Sequence, residues 1–339
     1  MIGCEALKIH FKYLGIMTGS NMNRLHTWDR VIEKVMARLS KWKAKALSIS
    51  GRFILIPLYY FSLFKVPIGV LKRLKSCRSN FFRGVESGSR KVSWFSWDSV
   101  VASKDVGGLG MSRFLAMNCA LLFKWIWRFK VQPDAMWVSI IKAIHGGQLV
   151  EEQDKWVWNL EGDGVFKVVS ARHFIDEGLS EMEGVQTRWV KLVPIKFNVF
   201  TWRLALNKLL TRFNMSSKGL EVWSIVCPVC NVGAEMVDHL FFSCSVASSI
   251  MAKVQGWWGF LESGISSYNS WASWFEGLRL KKVAKDYLEA IIFVSWWVIW
   301  GYRNKLLFSL KSLAKASLFD LIVSHSYIWC NSGARRKLD

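Results

Sequence analysis

Four residues constrain this chain more than any others: Cys227, Cys230, His239 and Cys244, in the pattern C-x2-C-x8-H-x4-C. Structural zinc is held tetrahedrally by four thiolate or imidazole ligands. A C-x2-C turn aims two sulfurs at one point, and Pro228 stiffens it. His239 and Cys244 are five residues apart, close to one helical turn or a helix end, and can supply the other two ligands. Four protein ligands leave no position for a catalytic water, so the pattern favours a structural Zn2+ over a catalytic one. Such sites fold on binding metal, and the run Leu240-Phe241-Phe242 between the last two ligands is expected to pack beside it. A redox dithiol or unrelated core cysteines are the other readings of the same residues.

The rest of the composition sets broad limits. A length of 339 residues suggests about two domains. With 52% hydrophobic and 21% charged residues the chain can bury a core, and its 20 tryptophans need one. Seven cysteines, an odd number in so long a chain, do not make a secreted disulfide scaffold. The N-terminal residues show no apolar run of signal-peptide length. The strongest apolar run, Ala290 to Trp300, is interrupted by Ser295 and is shorter than the roughly 20 residues a bilayer demands. These features predict a nuclear or cytoplasmic protein with no membrane partner.

The net charge of +21 is unevenly placed. Residues 1–130 hold 23 Lys and Arg against 6 Asp and Glu, an excess of 17, whereas the rest of the chain carries an excess of only 4. A one-sided excess suggests a surface for a polyanion, nucleic acid being the usual one, against the plainer reading of a solvated basic face. Trp28, Ile32, Val35, Leu39, Trp42 and Ala46 recur at steps of four and three, as one stripe of a helix opening at Thr27 as N-cap. Its other faces carry Arg30, Lys34, Arg38, Lys41, Lys43 and Lys45. Trp42 could stack on a base but sits on the seam.

Further helices are expected from Leu71 to Phe82, from about Ser112 to Lys130 and from Trp137 to Ile144. Lys104 to Gly110 lacks the lysine and hydroxyl of a phosphate-binding loop and reads as a turn. An acidic stretch from Glu151 to Asp163 ends the basic region, placing a boundary at about 148–155. Trp156 to Val168 alternates like a short hairpin around Gly162-Asp163-Gly164, and a helical tail begins at about residue 281. His10, His26, His145, His173 and His325 have no thiol or carboxylate partners at ligand spacing. No nucleophile elbow, Ser/His/Asp set or adjacent Asp pair occurs.

Together these residues resemble a known family. Phe11-Lys-Tyr13-Leu14-Gly15, Asn21-Met-Asn23-Arg24, Thr27-Trp28-Asp29, Leu39-Ser40-Lys41-Trp42-Lys43, Gly107-Gly108-Leu109-Gly110 and Ala120 to Trp125 resemble the post-palm region of plant LINE-type non-LTR retrotransposon reverse transcriptases. Trp189, Pro194-Ile-Lys196, Phe200-Thr-Trp202-Arg203, Thr211-Arg212, the Cys/His set, Glu235, Trp297 to Trp300 and Arg303-Asn304 resemble the zinc-binding domain and tail that follow. Relatives carry several more helical residues between Ile54-Leu-Ile56 and Pro57-x-Tyr59.

The resemblance implies a mainly α chain: a basic thumb/connection-like region (1–150), a small α+β zinc-binding domain (151–260) and a helical tail (261–339). It places the palm carboxylates outside this sequence. The expected role is therefore a remnant of an RNA-directed DNA polymerase without polymerase activity. It would carry structural Zn2+ on Cys227, Cys230, His239 and Cys244. It would bind RNA or an RNA–DNA duplex non-specifically through Lys41, Lys43, Lys45 and Arg52. A domesticated protein–protein module and a non-functional fragment are the alternatives. Separated from a palm, the first region is expected to be of low stability.

Overall fold

The computed structural model describes residues 12–13, 16–17, 21–44, 58–83, 94–145, 156–179, 184–260, 264–309 and 314–335. The chain forms two compact units, one of residues 1–91 and 96–186, the other of 92–95 and 187–339. Thirteen α-helices carry almost all of the described regular structure, so the mainly helical expectation holds.

The first unit opens with a two-stranded antiparallel hairpin, β1 (Lys12–Tyr13) and β2 (Ile16–Met17). A 3-10 turn over Leu25–Trp28 leads into α1 (Asp29–Ala44). Thr27 is therefore not a helix N-cap. It lies inside the 3-10 turn, and its hydroxyl donates back to the Asn21 carbonyl at 3.0 Å. Trp28 is fully buried, with Nε1 donating to the Met22 carbonyl. Val31, Ile32 and Val35 continue its stripe, whereas the side chains of Trp42 and Ala46 lie outside those described.

This stripe packs with α2 (Leu58–Leu63) and α3 (Ile68–Arg83) through Phe61, Val70 and Leu74. α4 (Trp97–Val101) is capped by the Ser96 hydroxyl. The glycine-rich segment is a turn: Gly107 has φ +83°, and a Cβ on Gly108 would meet the Ala102 carbonyl oxygen at 2.0 Å. α5 (Phe114–Val131) supplies Phe114 to the core and Asn118 to a polar pin. Buried Asn118 donates to the Phe61 and Phe64 carbonyls and accepts from Val66 N, satisfying the chain where α2 ends.

α6 (Met136–His145) follows, and then α7 (Val168–Gly178), which packs on α5. Between them, residues 156–167 form a turn without strands. One ladder-like bond joins Trp158 N to the Gly164 carbonyl, and Trp158 and Phe166 close on Trp127 of α5 as an aromatic cluster. The apparent alternation of the sequence thus serves helix packing, not pairing. The composition step at 148–155 and the division of the two units at 186–187 do not coincide, since α7 belongs with α5.

The second unit contains α8 (Ile195–Ala205), α9 (Arg212–Ser216), α10 (Ser245–Trp257), α11 (Tyr268–Gly277), α12 (Lys282–Phe308) and α13 (Ser317–Arg335). The apolar run noted above is the middle of α12, buried on almost every side, which is why it shows no amphipathic pattern. Leu288, Ile292, Phe293 and Trp296 are fully buried there, with Trp271 of α11 against Trp296. Among the described residues no helix is long and apolar enough to cross a membrane. The same core reaches Cys227, Leu240, Phe241 and Cys244, so the helical tail and the cysteine-bearing segment share one interior.

Candidate metal centre

Residues 206–244 contain little regular structure, and their shape is set by side chains. Thr211 is fully buried and caps α9, its Oγ1 accepting from Asn214 N. After α9 the chain pairs once with itself at Val226 and Ala234. Between these lies a tight knuckle: Cys227 N donates to the Gly233 carbonyl at 2.9 Å and Asn231 N to the Cys227 carbonyl at 2.8 Å. Asn231 and Gly233 take positive φ (59° and 70°), which Asn tolerates and Gly favours. Cys227 and Cys230 are thereby aimed to one side.

The other two ligands come from a helix start. His239–Ser243 makes a π-helical turn, and Cys244 is the N-cap of α10. A π turn spaces residues differently from an α turn and often marks a functional position. Here it places His239 and Cys244 on one side although they are five positions apart. Cys227 Sγ, Cys230 Sγ, Cys244 Sγ and a His239 ring nitrogen all lie within 4.8 Å of one another. A tetrahedron with Zn–S bonds of about 2.3 Å has edges of about 3.8 Å. The set therefore fits a four-coordinate ion, and three thiols with one imidazole suit zinc. Cys230 Sγ and His239 Nε2 are already 3.2 Å apart.

The two buried sulfurs are coupled, and their thiols are shifted in opposite directions. The hydrogen bond between Cys227 and Cys244, with burial, pushes the Cys227 thiol up to about 12. The same bond, with the amides of Val246 and Ala247, holds Cys244 below the ordinary thiol range. A divalent cation bound between them would displace the thiol protons. Val232 N donates to Cys230 Sγ at 3.4 Å, adding a positive dipole at a third ligand. Leu240 and Phe241, fully buried beside the centre, meet the packing expectation.

One further residue organises the site. Glu235 follows the knuckle, is fully buried, and lies between two arginines. Its carboxylate accepts from Arg303 Nε and Nη2 and from the backbone N of Arg212. Arg303 Nη2 also reaches the Leu210 carbonyl, and Arg212 Nη1 the Val226 carbonyl. Glu235 thus fastens the knuckle to α12 and to the start of α9. The sequence marked these residues by resemblance only. A carboxylate and an arginine 68 positions apart leave no spacing signal.

The four ligands read from the sequence converge. Among the described residues no other group of three or more His, Cys, Asp or Glu does so. His325 lies instead against Trp329. Of the four cations assigned to nucleic acid, Lys41 and Lys43 lie on α1 with side chains outside those described, and Lys45 and Arg52 are outside the described residues.

The fold and the candidate centre define a helical unit that contains a Cys3His cluster. Residues 166–250 match the family described as zinc-binding in reverse transcriptase, and the likeness to the C-terminal part of plant retrotransposon reverse transcriptases holds. A ribonuclease H protein of Arabidopsis thaliana is 29% identical over 139 residues, which is 39% of this chain and 22% of that protein. An uncharacterized mitochondrial protein of the same plant is 32% identical over 89 residues, 26% of this chain and 58% of that protein. The chain thus spans less than two thirds of either relative. No solved structure matches it.

Proposed function

We propose that this chain is a retroelement-derived nucleic-acid-binding protein in which a structural zinc holds the second unit together and no polymerase chemistry takes place. The observation that carries the reading is the closure of Cys227, Cys230, His239 and Cys244 within a segment that matches a reverse transcriptase zinc-binding domain. Zinc would supply cross-linking of the knuckle to α10. The chain's own residues supply the rest: amides lower the sulfur basicity, and Glu235 fixes the knuckle.

The basic first region supplies the nucleic-acid side. Arg30, Lys34 and Arg38 stand exposed along α1 at intervals of four, and Lys41 and Lys45 continue that stripe in sequence. RNA or an RNA–DNA duplex laid along it would release counterions, so affinity falls steeply with salt. The test has two readouts on the full chain. Elemental analysis should give one zinc per chain in the wild type and none in Cys227→Ser. A binding titration should weaken at least tenfold between 50 and 200 mM salt, a steepness expected of about two or more phosphate contacts. A zinc-free wild type removes the first half of the reading, and salt-insensitive binding removes the second.

A protein-docking role has one observation in its favour. Met136, Ile140 and Ile144 line an exposed face of α6, with Met136 79% exposed. Concentration-dependent self-association abolished by Ile144→Lys would support that reading.

A further inference from the structure

We propose that the groove between α10, α12 and α13 seats a base of single-stranded nucleic acid, with the adjoining phosphate on the N-terminus of α12. The inference rests on the nucleic-acid reading above and assigns part of that binding to the second unit. The groove measures about 540 Å³ and is walled by Trp257, Trp258, Tyr287 and Tyr327 over a floor that includes Ile291. Two of these rings stand out in solvent, Trp257 at 50% and Tyr327 at 72%. Flat aromatic faces held open to water are what a base stacks on.

Two independent features specify the occupant. Ser326 lines the groove, is 3% exposed, and its hydroxyl makes no hydrogen bond. A buried hydroxyl without a partner is unusual in a folded chain. An aliphatic side chain in the groove would leave it so, whereas the edge of a base carries both donors and acceptors. The second feature is charge. α12 begins with Lys281 as N-cap, without a side-chain cap and with no acidic residue in its first turn. Lys281 and Lys282 are exposed at this end, and Arg279 precedes them. The first-turn amides and the helix dipole already make this end positive, so cations are unfavourable there and an anion is favourable. Lys281 also lines the groove. Flat rings, an unmet hydroxyl and an anion-seeking helix end meet in one place, and a nucleotide satisfies all three.

The test uses the full chain and two labelled strands of equal length, an eight-residue oligothymidylate and its abasic counterpart, read by fluorescence anisotropy. Stacking a single base is worth about 5- to 150-fold in affinity. The wild type should favour the base-bearing strand by at least about 5-fold. Tyr327→Ala and Trp257→Ala should each reduce that preference toward one while leaving abasic binding unchanged. Lys281→Glu should weaken both strands. Unchanged zinc content and melting temperature establish that the variants fold. Equal affinity of the wild type for both strands, or a preference that survives Tyr327→Ala, overturns the base site but leaves nucleic-acid binding standing. Failure of both strands to bind at low salt overturns both readings. An acidic amphipathic peptide that binds through Tyr327 and is not displaced by oligothymidylate gives the groove to a protein partner and overturns the proposal.

Discussion

Residues 206–244 of the second unit hold little regular helix, yet Thr211, Cys227, Glu235, Leu240 and Cys244 are all fully buried. The first unit is the reverse case. α5 and α6 are regular helices, yet Ile126, Met136, Ile140 and Ile144 remain open to water. Its core cluster is centred on α1, α2, α3 and the start of α5, and does not extend to α6. Regular helix is therefore a poor guide to what is well held in this molecule. In the second unit an ion pair and a partly buried Cys/His cluster lie within an irregular chain. In the first, the described parts of α5 and α6 leave apolar side chains exposed.

Removing the metal is the largest way to break this contrast. Structural zinc contributes on the order of 10 kcal/mol to small zinc-dependent folds. Chelation should therefore abolish cooperative melting of the second unit, as followed by circular dichroism. The first unit has no described Cys/His cluster and should be unaffected. If both units melt together with and without chelator, the contrast drawn here is wrong. Glu235→Ala comes next. It leaves the Arg303 guanidinium buried and unpaired, at a cost of about 3–5 kcal/mol. Urea unfolding at saturating zinc measures it, and a loss under 1 kcal/mol would show that water compensates Arg303.

The sequence made some of this legible and hid the rest for physical reasons. The convergence of Cys227, Cys230, His239 and Cys244 was readable because four residues of ligating type fall within an 18-residue span. The α1 stripe was readable because a helix buries every third or fourth residue, but its start was misplaced. Thr27 offers the same hydroxyl to a 3-10 turn as to a cap, and the choice depends on Trp28 reaching Met22. The Trp156–Val168 alternation suggested strands because a period of two cannot reveal that the aromatic rings will close on a helix. Glu235 and Arg303 were hidden by distance along the chain, and the Asn118 pin by the same cause, since its partners lie more than 50 residues away.

That pin gives a smaller test confined to the first unit. Asn118→Ala strands the Val66 amide and the Phe61 and Phe64 carbonyls, at about 1–3 kcal/mol for unmet buried polar groups. The loss should appear only in the first unit's transition, with zinc content unchanged. A matching loss in the second unit would mean that the two unfold as one.

The smallest effect concerns pH and belongs to the second unit. His325 packs on Trp329, with ring centroids 4.7 Å apart. Burial, and to a lesser degree Lys196, holds its imidazole below the ordinary histidine range. The fold therefore favours the neutral ring. The stabilisation is present above the unfolded value of about 6.5 and is lost as pH falls through the depressed folded value. Phenylalanine keeps the ring and cannot titrate. His325→Phe should thus gain on the wild type between pH 7.5 and 5.5, by no more than about 0.5 kcal/mol for a group only partly buried. Zinc ligands titrate equally in both proteins and cancel from the difference. A pH-independent difference would mean that His325 binds protons alike in the folded and unfolded chain, and that its contact with Trp329 is packing alone.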